Sequence, residues 1–215
     1  MLSNCKYAIF DNDGTILNSM YYWRLGVLEY LLKYEYPVPE MSVRELLTQS
    51  SRRFAMTFAE REGLDMDEVG KELDSYMDRH YQFDVRPKRG IEDVFRTLKQ
   101  NGAKLCVATA APREICYRAM EKFGFLQYFE FVTGGDKISV PKREAGFFEE
   151  VCEMLGARPE ECWVFEDSLY ALKGAKKAGC FLVGVEDVTA ERTREEIREI
   201  SDIYVTDYAQ LVHTP

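Results

Sequence analysis

Histidine is almost absent from this chain: its 215 residues include only His80 and His213. That scarcity argues against a histidine-built metal cluster and against hydrolysis driven by a histidine base. The six cysteines, Cys5, Cys106, Cys116, Cys152, Cys162 and Cys180, show no C-x-x-C pair or other zinc spacing, and several sit in apolar runs. They read as reduced thiols, in a chain too long to be a disulfide miniprotein. No stretch of about 18 apolar residues occurs, so no membrane-spanning helix is expected. The opening Met1-Leu2-Ser3-Asn4-Cys5-Lys6 carries no apolar leader, and the expected location is cytoplasmic. Positive charge is in deficit: 28 Lys and Arg against 37 Asp and Glu give a formal net charge of -9. A nucleic-acid backbone is therefore not an expected partner, because phosphate binding on that scale needs concentrated positive charge. Internal repeats and low-complexity segments are also missing.

What remains is a chain expected to be soluble, 46% hydrophobic and large enough for one sizeable core and a smaller module. Residues 17 to 86 read as successive helices. Tyr21, Leu25, Leu28 and Leu32 repeat at helical spacing before Pro37 and Pro39, and Ser42 with Glu45 forms an expected capping box. Phe54 and Phe58 share a second helix face that ends at Gly63, and Val69, Leu73 and Tyr76 mark a third helix after Asp65. From Pro87 onward, short apolar runs alternate with helical stretches. Alternation of this kind predicts a parallel sheet covered on both faces, with ligands bound at the carboxyl ends of its strands.

Chemistry-bearing residues collect at those strand ends. The run Tyr7-Ala8-Ile9-Phe10 delivers Asp11-Asn12-Asp13-Gly14-Thr15. Period-2 geometry turns Asp11 and Asp13 to one side and Asn12 away, while Gly14 permits a sharp exit. A second run, Cys162-Trp163-Val164-Phe165, ends in Glu166-Asp167-Ser168. Two acidic strand ends suggest one site for a hard divalent cation such as Mg2+, with Asp11, Asp167 and the carbonyl of Asp13 as the protein's share. Asp167-Ser168 is also expected to cap the helix that begins near Leu169. The run Lys104 to Ala108 ends in Thr109-Ala110-Ala111-Pro112, which offers a hydroxyl and free backbone N–H groups where a phosphate would dock, with Pro112 in the first turn of a helix. Lys142, ahead of the helical stretch Phe147 to Leu155, would neutralise both a phosphate and Asp11.

With these four motifs in order, the sequence resembles the haloacid dehalogenase superfamily over nearly its whole length. Phe10 to Thr15, Thr109, Lys142 and Glu166-Asp167-Ser168 match its four motifs, and Phe148 to Ser168 is similar to the branch that includes phosphoglycolate phosphatase and beta-phosphoglucomutase. The resemblance implies a Rossmann-like doubly wound core of residues 1-16 and 87-215, with an inserted all-helical cap of residues 17-86. It implies a Mg2+-dependent phosphatase of small phosphorylated metabolites. Asp11 would be the nucleophile that becomes an aspartyl-phosphate, and Asp13 the general acid and then base. Thr109, the N–H of Ala110 and Lys142 would hold the phosphoryl group. Asp167 would ligate the metal, with Glu166 supporting it through water.

Departures and alternatives follow from the same comparison. Pro141-Lys142-Arg143-Glu144 differs from the family's usual third motif, yet Lys142 keeps a similar spacing of 25 positions before Asp167. Asn12 stands where an apolar residue is frequent. Asp13 disfavours dehalogenation, and the cap lysines Lys33 and Lys71 match no phosphonate-cleaving motif. Trp23 occupies the position of the histidine found in beta-phosphoglucomutases, which favours hydrolysis over a phosphomutase. A non-enzymatic phosphate-binding regulator is disfavoured because every catalytic position is filled. Specificity is expected in the cap, where the loop Thr48 to Arg53 offers Arg52 and Arg53 for a second anionic group or sugar hydroxyls. Tyr21, Tyr22 and Trp23 would line the same pocket or pack in the core. Neither the physiological substrate nor the oligomeric state is legible.

Overall fold

The computed structural model describes residues 2–36 and 51–212, which divide into two compact units, residues 1–18 with 87–215 and residues 19–86. The capping box expected at Ser42 and Glu45, and Thr48 to Ser50, lie outside the described residues.

The larger unit is built on a six-stranded sheet: β1 (Tyr7–Phe10), β2 (Lys104–Ala108), β3 (Phe129–Thr133), β4 (Cys162–Glu166), β5 (Phe181–Val185) and β6 (Ile203–Val205). Every pairing is parallel, in the order β3-β2-β1-β4-β5-β6. The fold is thus the α/β, Rossmann-like type that the alternation predicts. Strand order reverses between β1 and β4, the switch point where a doubly wound sheet opens its crevice. Register fixes what meets there. Phe10 lies opposite Val107 on one side and Phe165 on the other, so the next residue of each strand, Asp11, Ala108 and Glu166, falls at the same level. The Asp11 N–H continues the ladder by donating to the Phe165 carbonyl at 3.0 Å.

Both sheet faces are dry because the strands carry almost uninterrupted apolar residues. On one face Phe10 stacks on Phe165 at 4.2 Å and meets Phe95 of α4 (Ile91–Gln100) edge-on at 5.1 Å. On the other, Ile9 and Val164 pack with Phe147, Phe148 and Val151 of α6 (Ala145–Leu155) and Ala171 and Leu172 of α7 (Leu169–Ala178). At roughly 25 cal/mol per Å2, such faces supply the main driving force for this unit.

The smaller unit contains three described helices, α1 (Met20–Lys33), α2 (Ser51–Glu62) and α3 (Met66–Phe83). Val27, Tyr30, Leu31, Phe58, Ala59, Val69 and Leu73 form its core. Asp65 caps α3 by accepting from the N–H groups of Asp67 and Glu68 at 2.9 Å each, and its helix begins where the sequence predicts. Trp23 and Met77 line a cavity of about 390 Å3 within this unit, whereas Tyr21 is exposed.

Two local expectations are corrected. Pro112 takes the N-cap position of α5 (Arg113–Lys122) rather than its first turn, and of the N–H groups expected to be free, that of Ala111 donates to the Thr109 hydroxyl oxygen at 3.1 Å. Ser168 does occupy the N-cap of α7, but its side chain accepts from no helix N–H, and its hydroxyl donates to Glu166 at 2.6 Å.

Candidate active site

Asp11, Glu166 and Asp167 are brought together from the ends of β1 and β4. One carboxylate oxygen of each lies within 4.8 Å of the others, and all three residues are buried. Lys142, from the segment leading into α6, reaches into this group. Its ammonium donates to Asp11 Oδ1 at 2.5 Å and lies 2.6 Å from Glu166 Oε2. The remaining Glu166 oxygen accepts from the Ser168 N–H at 3.0 Å and its hydroxyl at 2.6 Å. Glu166 is therefore held on both oxygens by Lys142 and Ser168.

Three buried carboxylates face one ammonium, and the electrostatics record the imbalance. Burial, reinforced by Glu166, pushes the Asp11 carboxyl up to about 8 even though Lys142 pulls the other way. Burial and the neighbouring Glu166 and Asp11 hold Asp167 well above the ordinary carboxylate range. Lys142 is driven the other way: burial would discharge it, but Asp11 and Glu166 outweigh that and keep its affinity for the proton above the ordinary value. A hard divalent cation fits this arrangement, since it would balance the excess negative charge with the oxygen donors that such ions prefer.

Around the cluster stand the other sequence candidates. Asp13 is half-buried and within electrostatic range of Asp11. Gly14, at φ +83°, makes the turn, and the Asn12 carbonyl accepts from the N–H groups of both Ile16 and Leu17 at 2.9 Å, which ties the acidic loop down. Thr109 is buried at the end of β2, next to the strand that carries Asp11, with Ala110 exposed beside it. The Thr109 hydroxyl oxygen accepts from the Ala111 N–H at 3.1 Å, which leaves its proton available to donate. Arg52 and Arg53 belong to the other unit. Both fall in the first turn of α2 rather than in a loop; Arg53 is exposed, and the Arg52 side chain lies outside the described residues.

Several residues of this site escape motif reading. Gly134 and Gly135 pack on the loop after β2 so tightly that a Cβ would collide with the Ala111 or Ala110 carbonyl oxygens, and Asp136 adds its bond to Arg113. The signal was the run Thr133-Gly134-Gly135-Asp136 at a strand end. At the end of β5, buried Asp187 accepts from Lys88 at 3.2 Å and from the Thr189 hydroxyl at 2.7 Å. Asn12 is fully buried, and neither of its side-chain polar atoms has a hydrogen-bond partner among the described residues.

Comparison with known proteins agrees with this geometry. The family model described as haloacid dehalogenase-like hydrolase matches residues 8–185. The chain is 26% identical over 207 residues to validoxylamine A 7'-phosphate phosphatase of Streptomyces hygroscopicus subsp. limoneus, covering 96% of this chain and 95% of that protein. It is 26% identical over 183 residues to a phosphorylated carbohydrates phosphatase of Thermotoga maritima, covering 80% and 81%. CbbY from Rhodobacter sphaeroides, solved in complex with phosphate, shares the fold with a TM-score of 0.82 at 21% identity, over 96% of each chain. The chain belongs to the haloacid dehalogenase-like hydrolases, and it is an enzyme of their phosphatase type. Among the described residues no helix is long and apolar enough to cross a membrane.

Proposed function

We propose that this enzyme is a Mg2+-dependent phosphatase of small phosphorylated metabolites that works through an aspartyl-phosphate. The observation that carries the reading is Asp11, buried at the end of a central strand, 2.5 Å from the Lys142 ammonium and adjoining Glu166 and Asp167. An Asp11 oxygen attacks phosphorus, and the bond from phosphorus to the alcohol oxygen breaks. Asp13 gives its proton to the departing alkoxide. Asp13 then takes a proton from water as that water attacks the phosphorus, which releases inorganic phosphate and restores the Asp11 carboxylate. Thr109, the Ala110 N–H and Lys142 hold the phosphoryl oxygens, and this positioning and charge balance supply most of the acceleration. Asp11, Asp167 and the Asp13 carbonyl would hold Mg2+, with Glu166 behind them, and the ion when bound offsets charge on the transferring group.

The substrate class draws on the relatives, whose names specify validoxylamine A 7'-phosphate, phosphorylated carbohydrates, phosphoglycolate and pyrophosphate. The helical unit would act as a cap that reads the leaving group, with Arg52 and Arg53 among its readers, in a cytoplasmic enzyme. Mg2+-dependent release of inorganic phosphate from a panel of sugar phosphates, nucleotides and phosphoglycolate tests the reading. EDTA should stop release and Mg2+ restore it, and full activity in chelator would refute the metal. Isomerised sugar phosphate without free phosphate would instead establish a phosphomutase.

A further inference from the structure

Tyr170 lies in the first turn of α7, two residues beyond the N-cap Ser168. Gly174, one turn further along, packs directly on the Lys142 and Arg143 backbone, so closely that a Cβ would collide with the Lys142 carbonyl oxygen. Residues four apart share a helix face. Tyr170 therefore stands on the face of α7 that abuts the Lys142 segment, at the helix end nearer the carboxylates. Lys142 on that segment donates to Asp11 and meets Glu166, so this end of α7 lies beside the reaction centre. Tyr170 is nonetheless 50% exposed, and its hydroxyl has no hydrogen-bond partner among the described residues. Tyrosine this close to a charged cluster normally ties its hydroxyl to a neighbour. Here the side chain is left half open to solvent.

We propose that Tyr170 is a specificity-determining residue that holds the hydroxylated carbon skeleton of a sugar phosphate. The ring lies against C–H groups of the skeleton, and the phenol hydroxyl bonds to a substrate hydroxyl. A neutral, amphipathic side chain suits a polyol. It cannot neutralise a second carboxylate or phosphate, so esters such as phosphoglycolate gain nothing from it. The assignment rests on the phosphatase reading above and adds a reader carried by the catalytic unit itself.

The test compares Tyr170→Phe and Tyr170→Ala with the parent enzyme, using glucose 6-phosphate and phosphoglycolate in Mg2+. Tyr170→Phe should lower kcat/KM for glucose 6-phosphate by about two- to tenfold, the worth of one neutral hydrogen bond, mainly through KM. Tyr170→Ala should lower it further, with phosphoglycolate unchanged within about twofold in both variants. Thermal unfolding of each variant checks that the fold persists. Unchanged glucose 6-phosphate kinetics, equal losses on both esters, or a parent that cleaves phosphoglycolate but not the sugar ester would overturn the assignment while leaving the phosphatase reading intact. A parent that releases phosphate from no ester would overturn that reading and this one together.

Discussion

The two units of this chain use ion pairs of similar length for opposite ends. In the sheet unit, Lys142 is buried with Asp11 at 2.5 Å and Glu166 at 2.6 Å. In the helical unit, Arg79 meets Glu29 at 2.7 Å, yet its side chain is 53% exposed. Water screens the second pair, so it contributes little. The first has been taken out of water, and losing one partner would strand the others. Contact distance says little about the worth of a charge pair; burial and the balance of neighbouring charges decide it, and among the described residues the excess of buried carboxylates lies in the sheet unit.

Removing Asp11, the proposed nucleophile, tests the buried side most severely. Asp11→Asn should lower phosphate release by more than about a thousandfold while thermal unfolding stays cooperative, because an amide lacks the charged oxygen that attacks phosphorus. Substantial turnover in the purified variant would end the assignment. Asp13→Asn should be milder with aryl phosphates, whose leaving groups need no proton, than with alkyl phosphates, and equal losses would count against the acid role.

Lys142→Met should lower stability by about 3 to 5 kcal/mol in EDTA at pH 8, the cost of stranding buried carboxylates. Arg79→Met should change stability by about 1 kcal/mol or less. Denaturant titration of both variants sets the contrast directly, and similar values for the two would dissolve it.

The pH dependence of the metal-free enzyme follows from the raised carboxyls. Asp11 binds its proton more tightly folded, at about 8, than unfolded, at the ordinary 3.8. The folded state therefore holds more protons between those values, and stability falls as pH rises through that window. Asp167 acts in the same direction. Melting temperature in EDTA should decline from pH 5 to pH 8, and Mg2+ should raise it more at pH 8 than at pH 5, since the ion binds the ionised carboxylates. A flat profile in EDTA would contradict the burial argument.

A small effect of opposite sign concerns Asn12, whose buried amide has no partner among the described residues. Asn12→Leu keeps the branched shape and removes an unmet polar group, so stability should rise by about 1 kcal/mol, read as a higher denaturation midpoint. A loss would mean that the amide is satisfied by water or that the larger methyl groups do not fit.

The sheet and its acidic strand ends were legible because parallel strands buried on both faces must be written as continuous apolar runs, and the residue after each run is delivered to the ligand-binding edge. Tyr7 to Phe10 and Cys162 to Glu166 announce themselves in this way. Helix ends were less legible. Ser168 has the chemistry of a cap, but its hydroxyl is oriented to donate to buried Glu166 two residues back, and its oxygen accepts from no helix N–H. The Ala111 N–H looked available, yet the Thr109 hydroxyl oxygen accepts it at 3.1 Å.

By itself, then, the sequence determined which side chains stand at the carboxyl ends of the strands, since period and run length dictate direction along a strand. Only the tertiary structure decided how charged the site is. Burial of Asp11, Glu166 and Asp167 around a single Lys142, and the placing of Tyr170 beside them through the close fit of Gly174, depend on residues far apart in the chain meeting in a space without water, and no local pattern encodes that.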